Sequence, residues 1–328
     1  MTVSILRSGF LTTVQDLGRT NHRRFGVSLA GALDPHAMRV ANVLVGNDES
    51  LAGIEATLGN VRLRFNDRRL VAWCGGDFAV RIGATDIPSG RVALVEAGEE
   101  LFLLAPEAGA RAWLAISGGV DVPAVLGSRS TDLRAAFGGL DGHSLRDGDV
   151  LSLGPLPELS LQLAQCLNHD RVATWAAPSE WSSFAVRPRF LRIVHGTDWK
   201  RFDEESRTAL TAQPFVVSAE SDRMGARLTG PILRSSNGND SISEGVAPGA
   251  LQVPSDGQPI LLLGDCQSIG GYPKIAHVIT VDLPMTAQLR PAEPVRFLEV
   301  SLADAHQLLW ERSSDFARFK IGLNLQSR

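Results

Sequence analysis

Short apolar or alternating segments divide most of the chain into strand-sized pieces. In the first half they are separated by Gly, Pro or Asp at intervals of about eight to twelve residues, which is typical of an antiparallel sandwich or barrel. The pattern therefore predicts a mainly β first half with a strand near the start and seven more from residue 61 onward. The predicted strands are 3–7, 61–65, 70–74, 78–82, 91–95, 100–104, 111–116 and 150–153.

Two helices interrupt this pattern. Asp34 suits the N-cap of the first, Pro35 its first position and Gly46 its C-terminal end, and residues 37, 40, 41 and 44 form an apolar face. A second, short helix is predicted after Ser130, with the Ser130 hydroxyl as its cap.

The second half mixes strands and helices. The pattern predicts strands at 189–194, 215–219, 259–263, 275–281 and 294–301, a helix that begins at Asp198, and a helix at 303–312. A proline-containing stretch without a sustained period precedes this half. We therefore predict an N-terminal β-rich domain at 1–155, a linker at 156–188, a C-terminal domain at 189–312, and a tail at 313–328 that need not be ordered.

The loop 264–277 joins two predicted buried strands and is the chief candidate site. Adjacent glycines allow a positive φ or a close approach of the backbone to a ligand. Tyr272 is the only tyrosine, and Lys274 is one of three lysines among 32 basic residues. The alternative is a tight hairpin whose polar groups satisfy one another. The polar and glycine residues of this loop are Asp265, Gln267, Gly270, Gly271, Tyr272 and Lys274.

Further polar residues are expected to meet this loop at one end of a barrel, where loops collect. Asp222 and Arg223 lie in a turn-like segment, for which the alternative is an exposed ion-paired loop. Ser243, Glu244 and Gln252 flank two glycines shortly before the strand at 259–263.

Arg129 lies in the first half beside the predicted start of the short helix. A guanidinium there is a candidate clamp for a carboxylate or a phosphate. The alternative is a structural ion pair with Asp132 or Asp121.

Charge and cysteine usage narrow the class of protein. A net charge of −4 and a pI near 6.0 provide no basic field for nucleic acid. We find neither a membrane-spanning apolar run nor a signal peptide and predict a cytoplasmic protein. Cys74, Cys166 and Cys266 lack Cys-x-x-Cys spacing and are predicted to be thiols, and the histidines show no metal-binding pair.

Several common motifs are missing from the sequence. It has no P-loop, no Gly-x-Ser-x-Gly elbow, and no Met-Lys dipeptide, so we expect no biotin attached covalently to this chain. Cys266 has no base beside it in the sequence, which argues against a cysteine nucleophile.

Taken together, the motifs closely resemble the KipA family, also called the biotin-dependent carboxyltransferase family or allophanate hydrolase subunit 2. Ser268 departs from the threonine common in that family. The resemblance implies a cyclophilin-like β-barrel architecture, so the expected fold class is mainly β with a few helices (α+β), in two β-rich lobes. The motifs are residues 9–19, 41–47, 118–123, 126–133, 221–225, 243–245, and Gln267 with 270–273.

Family members of this length are subunits of 5-oxoprolinase. The resemblance thus implies an ATP-dependent enzyme complex that opens 5-oxo-L-proline to L-glutamate, releases ADP and phosphate, and uses Mg²⁺ with the nucleotide. It also implies a KipI-like subunit and a LamB/YcsF-like subunit as partners. Two alternatives stay open: a biotin-dependent carboxyltransferase related to urea carboxylase, and a non-catalytic protein that binds and regulates a KipI-like partner.

Roles for the candidate residues follow from their chemistry. Gln267, Tyr272, Lys274 and Asp265 are the catalytic candidates, as oxyanion donors, a cation and a water-orienting carboxylate. The substrate-binding candidates are Arg129, Asp222, Arg223, Ser243, Glu244, Gln252, Gly270 and Gly271.

Overall fold

The computed structural model describes residues 1–167, 170–184, 190–235 and 242–326. The chain divides into two compact units. Unit 1 comprises Met1–Arg19, Ala30–Arg187 and Phe316–Arg328, and unit 2 comprises Thr20–Leu29 and Pro188–Asp315. The domain limits stay predictions, although most of the predicted linker 156–188 falls in unit 1.

Unit 1 is built from two antiparallel sheets. The six-stranded sheet has the order β11-β1-β4-β9-β6-β7 and the five-stranded sheet the order β2-β3-β10-β5-β8. The strands are β1 (Thr2–Ser8), β2 (Leu11–Gln15), β3 (Gly53–Thr57), β4 (Val61–Phe65), β5 (Arg69–Gly75), β6 (Val80–Ile82), β7 (Thr85–Asp86), β8 (Val92–Val95), β9 (Glu100–Leu103), β10 (Arg111–Ile116) and β11 (Val150–Ser152).

One apolar core is shared by these two sheets. Strand β4 alternates buried apolar residues with exposed arginines, whereas β5 and β10 are buried along their whole length. Leu63 of β4, Trp73 of β5 and Leu114 of β10 belong to the same core cluster. Alternating segments thus cover the core from one side, and continuously apolar segments occupy its interior.

The strands predicted between residues 61 and 153 are confirmed, each with ends within about two residues of the prediction. Strand β3 escaped prediction because a glutamate interrupts its apolar residues. The Glu55 carboxylate is buried, and its Oε2 accepts hydrogen bonds from Trp113 Nε1 at 2.8 Å and from the Leu33 amide at 2.9 Å. These bonds stabilise the buried charge.

Unit 1 also carries helices α1 (Pro35–Leu44), α2 (Glu158–Cys166) and α3 (Ser179–Ser182). The prediction for α1 is confirmed, because Asp34 Oδ1 accepts from the Ala37 amide at 2.8 Å and Gly46 follows the helix with φ +78°. The short helix predicted after Ser130 is wrong. Residues 131–137 form turns because the Asp132 carboxylate accepts from the nearby Arg134 and Ala135 amides.

Unit 2 holds an eight-stranded, nearly closed barrel-like sheet in the order β20-β13-β14-β17-β16-β19-β12-β21 and a two-stranded ribbon, β15-β18. All pairings are antiparallel except β12 with β21. The strands are β12 (Leu191–His195), β13 (Phe215–Val217), β14 (Gly225–Thr229), β15 (Glu244–Gly245), β16 (Ala250–Gln252), β17 (Ile260–Leu262), β18 (Ile269–Gly270), β19 (Lys274–Val278), β20 (Pro294–Val295) and β21 (Phe297–Glu299).

Helices α4 (Glu204–Ala212) and α5 (Leu283–Thr286) complete unit 2, with 3₁₀ turns at Thr20–Phe25, Trp199–Arg201 and Thr280–Asp282. The helix predicted to begin at Asp198 instead begins at Glu204. Asp203 is its cap and accepts from the Ser206 amide at 2.8 Å. The expected fold class, mainly β with a few helices, is confirmed.

A long helix, α6 (Leu302–Gln326), ends the described chain. The predicted helix 303–312 therefore continues, and the prediction of a tail from residue 313 is wrong. Phe316 is 8% exposed, and its ring packs edge-on against Trp181 at 6.1 Å and His36 at 5.6 Å between centroids. This aromatic contact anchors the last part of α6 within unit 1. Among the described residues, no helix is long and apolar enough to cross a membrane.

The anchoring role of α6 gives a first prediction. We expect Phe316→Ala to lower the free energy of unfolding by about 3 kcal/mol, because it removes a buried ring from the Trp181 cluster. Ile321→Ala is the matched control on the same helix, where the side chain is 62% exposed. Urea titration followed by tryptophan fluorescence measures both. Equal midpoints for the two variants would contradict the prediction.

Candidate functional site

The loop predicted as the site joins β17 to β19 in unit 2, and its neighbours are strands β15 and β16. Gln252 of β16 lies opposite Lys274 of β19, and Glu244 of β15 lies opposite Gly270 of β18. Residues distant in sequence are thus brought together by strand pairing. The structure confirms the two strands that were predicted to hold the loop.

Lys274 is the most unusual side chain of this group. It is 3% exposed, and its Nζ lies 2.8 Å from Glu244 Oε1 and 3.9 Å from Asp198 Oδ2. The Glu244 contact is an ion pair without hydrogen-bond alignment, since Nζ makes no hydrogen bond to any described residue. Burial, and to a smaller extent the Lys274 charge, lowers the pKa of His277. The result is a buried cation with unused hydrogen-bond donors.

Two side-chain amides lie beside Lys274. Gln252 is buried, and its Nε2 donates to the Tyr272 carbonyl at 3.3 Å. Gln267 Nε2 donates to Gln252 Oε1 at 3.5 Å. Both bonds are long, so the amides keep hydrogen-bonding capacity for another group.

Gly270 makes room for these amides. Neither Gly270 nor Gly271 has a positive φ, so the expectation of a left-handed turn is not met. A Cβ on Gly270 would lie 2.7 Å from Gln252 Nε2. Glycine is therefore needed at 270 for the close approach of the amide rather than for backbone conformation.

Arg223 and Asp265 form a bidentate ion pair at the start of the loop. Arg223 Nε lies 2.8 Å from Asp265 Oδ2 and Nη2 lies 3.1 Å from Oδ1, and both side chains are largely buried. The Asp265 amide also donates to the Arg223 carbonyl. The expected exposed loop at Arg223 is thus replaced by a fixed clamp that determines where the loop leaves β17.

Cys266 faces the interior of unit 2. Burial raises the pKa of its thiol, and the nearby Arg23 guanidinium offsets only part of the increase. Arg23 Nη2 also donates to the Val246 carbonyl at 2.6 Å and to the Gln267 carbonyl at 3.2 Å. This environment suits a structural thiol and not a nucleophile.

The remaining candidates of unit 2 differ in their surroundings. Asp222 Oδ1 accepts from the Met224 and Gly225 amides and closes a turn. Ser243 is exposed and Tyr272 is 43% exposed. Tyr272 is therefore accessible to a ligand, whereas Asp222 has a structural contact that accounts for its carboxylate.

Arg129 belongs to unit 1, unlike the other candidates. Its Nη2 lies 3.2 Å from Asp121 Oδ1, which is the ion pair considered as an alternative to a clamp. The Arg129 amide donates to Asp16 Oδ2, and Ser128 and Ser130 donate their hydroxyls to Asp16 Oδ1, all at 2.6 Å. Asp16 thus organises this segment.

Three organising residues were missed by sequence reasoning. Asp16 holds the segment 128–130, Arg23 holds two loop carbonyls, and Asp198 Oδ2 accepts from the Lys274 amide at 2.9 Å. Each acts on residues that are more than 70 positions away. A local pattern contains no signal for such contacts. Among the described residues, no group of three or more His, Cys, Asp or Glu side chains could hold a metal ion.

Known proteins share this chain's sequence over most of its length. The family model described as carboxyltransferase domain, subdomain A and B, matches residues 25–299. A 5-oxoprolinase subunit of Escherichia coli (strain K12) is 38% identical over 306 residues, which cover 92% of this chain and 93% of that protein. The 5-oxoprolinase subunit of the same name from Haemophilus influenzae is 33% identical, and the match covers 93% of this chain and 94% of that protein.

A solved structure extends the similarity to the fold. The urea amidolyase of K. lactis superposes with a TM-score of 0.86 at 28% identity, covering 97% of this chain and 20% of that chain. This chain therefore spans about a fifth of the urea amidolyase. The family resemblance inferred from the motifs is confirmed.

The Arg223–Asp265 clamp leads to a stability prediction. We expect Asp265→Ala to lower the free energy of unfolding by about 3–5 kcal/mol, because the buried Arg223 charge loses its carboxylate. Asp265→Asn should fall between this variant and the wild type. Arg227→Ala, which breaks the exposed pair with Glu220, is the control and should change it by no more than about 0.5 kcal/mol. Urea titrations measure all four proteins. A loss for Asp265→Ala no greater than the control's would refute the clamp.

Thiol reactivity tests the environment of Cys266. The raised pKa leaves less thiolate at any pH below it, and burial blocks access, whereas Cys166 is exposed. We expect Ellman's reagent at pH 8 to modify Cys166 rapidly, and Cys74 and Cys266 only after unfolding. Cys166→Ser should abolish the rapid phase. Rapid modification of Cys266 in the folded protein, identified by mass spectrometry, would contradict this assignment.

Proposed function

This chain belongs to the carboxyltransferase family of subdomains A and B, and from that premise we propose that it is a subunit of an ATP-dependent 5-oxoprolinase. The complex would hydrolyse 5-oxo-L-proline to L-glutamate and release ADP and phosphate. Support comes from two relatives named as 5-oxoprolinase subunits, each of which matches over nearly its whole length.

The observation that carries the proposal is the buried Lys274 ammonium beside the amides of Gln252 and Gln267. 5-Oxo-L-proline offers a carboxylate and a ring amide close together. A cation and two amides in the same arrangement are complementary to both groups. No other cluster of site candidates in unit 2 combines these three groups among the described residues.

The chemistry requires activation of an unreactive lactam. Phosphorylation of the lactam oxygen by ATP would make the ring carbon accessible to attack by water. Gln267, the exposed Tyr272 hydroxyl and the Gly270–Gly271 backbone amides are the proposed donors to the developing oxyanion. Lys274 supplies positive charge, and the Arg223–Asp265 pair positions the loop that carries these donors.

ATP, with Mg²⁺, is a co-substrate of the complex in this proposal. The nucleotide is not assigned to this chain, because the sequence has no P-loop. Mg²⁺ commonly binds through substrate phosphates and one or two carboxylates and does not need a cluster of protein ligands. A KipI-like subunit and a LamB/YcsF-like subunit are the proposed partners.

Carboxyl transfer is the second candidate function. The fold similarity to a urea amidolyase favours it. The same donors would then stabilise a urea-type oxygen while a carboxyl group passes from carboxybiotin to an amide. Biotin would arrive on another protein, because this chain has no Met-Lys dipeptide.

Reconstitution tests the proposal. We expect glutamate to form from 5-oxo-L-proline and ATP only when this chain is mixed with both partner subunits, and omission of any one should stop it. An inactive three-protein mixture that carboxylates an amide when supplied with carboxybiotin would replace the proposal with the second candidate. A stable complex without either activity would indicate a binding protein.

Within the active complex, we expect Gln267→Ala to lower kcat/KM about 100-fold, because one oxyanion donor is lost. Gln213→Ala is the matched control, since Gln213 is an exposed glutamine at the end of α4. Glutamate production under steady-state conditions measures both. Full activity of the Gln267 variant would remove Gln267 from the mechanism.

A further inference from the structure

The Lys274 ammonium has more hydrogen-bonding capacity than its surroundings use. It is almost completely buried, yet its three N–H donors make no hydrogen bond within the described part of the chain. Leaving buried donors unused is unfavourable. A ligand that brings acceptor oxygens to Nζ would therefore be bound more strongly than the same ligand on the protein surface.

The two carboxylates near Lys274 differ in how firmly they are held. Asp198 Oδ2 accepts from the Lys274 amide at 2.9 Å, and Asp198 Oδ1 accepts from Arg201 Nη1 at 3.1 Å. The Glu244 side chain is 52% exposed and sits on the two-residue strand β15, which pairs only with β18. Asp198 is thus a fixed counter-ion, whereas Glu244 can move into solvent without breaking a buried contact.

The space next to the Glu244 carboxylate is lined by groups that suit an amide. Gln252 and Gln267 are joined to their neighbours by hydrogen bonds of 3.3 and 3.5 Å, and a side chain at Gly270 would displace the Gln252 amide. A molecule that replaced Glu244 on Lys274 would therefore meet amide donors and acceptors at once.

We infer that Glu244 occupies the position of a ligand carboxylate on Lys274 and leaves it when a small anionic cyclic amide binds. This inference rests on the proposed function and specifies how its substrate is held, with the carboxylate on Lys274 and the ring amide against Gln252 and Gln267. Glu244 is then an internal competitor of the substrate and not one of its ligands. Neutralising it must strengthen binding of the anion.

Isothermal titration with two probes tests the exchange, on the isolated chain and on the reconstituted complex. The probes are 5-oxo-L-proline and 2-pyrrolidinone, which has the same ring amide and no carboxylate. The variants are Glu244→Gln and Lys274→Met, with Glu220→Gln as the control for a change of net charge at an exposed pair in the same unit.

We expect Glu244→Gln to bind 5-oxo-L-proline about threefold more tightly than the wild type, because one weak ion pair no longer competes. Lys274→Met should weaken that binding about tenfold or more, since a charge-assisted hydrogen bond is lost. Binding of 2-pyrrolidinone should be the same in all four proteins, and Glu220→Gln should match the wild type with both probes.

Unchanged or weaker binding of 5-oxo-L-proline by Glu244→Gln would overturn the inference, as would the absence of binding to both the chain and the complex. The proposed function fails separately. Binding that follows the expected pattern in a complex that forms no glutamate would retain the Glu244 exchange and reject the oxoprolinase. An active complex whose KM ignores Glu244→Gln would do the reverse.

Discussion

Burial of the Lys274 ammonium is the constraint on which the candidate site depends. Moving a charge out of water costs several kcal/mol unless opposite charges and hydrogen bonds replace the water. Asp198 and Glu244 supply the opposite charges, but neither is positioned to accept a hydrogen bond from Nζ. The fold therefore maintains a cation that is neutralised in charge and incompletely hydrogen-bonded, which is a suitable starting state for ligand recognition.

Such a state requires a rigid frame, and two guanidinium groups provide it. Arg223 fixes the first residue after the turn from β17 through Asp265, and Arg23 fixes the next part of the loop through the carbonyls of Val246 and Gln267. The loop cannot then collapse onto Lys274. The polar side chains that face the cation are held by backbone positions set elsewhere, which is how preorganised sites limit the reorganisation needed on binding.

The sequence was informative where a local pattern determines the structure. Alternating and continuous apolar runs located most strands, and Asp34-Pro35 located the start of α1. Prediction failed where a distant contact decides. Glu55 lies in a strand because Trp113 and Leu33 satisfy its carboxylate, and residues beyond 312 remain helical because Phe316 packs against Trp181. The site was found in outline for the same reason: its loop is a local signal, while Arg23 and Asp198 are not.

The choice between lysine and arginine explains the division of roles. Buried arginines in this chain act as fixed connectors: Arg69 donates to the carbonyls of Ser117 and Gly154, and Arg19 to those of Val125 and Ser130. A planar guanidinium suits that role because its five donors have fixed directions. An ammonium on a flexible stem can instead turn its three donors from one acceptor to another. In a chain with only three lysines, a lysine at a buried position where a counter-ion can leave is consistent with exchange of carboxylates and not with permanent structure.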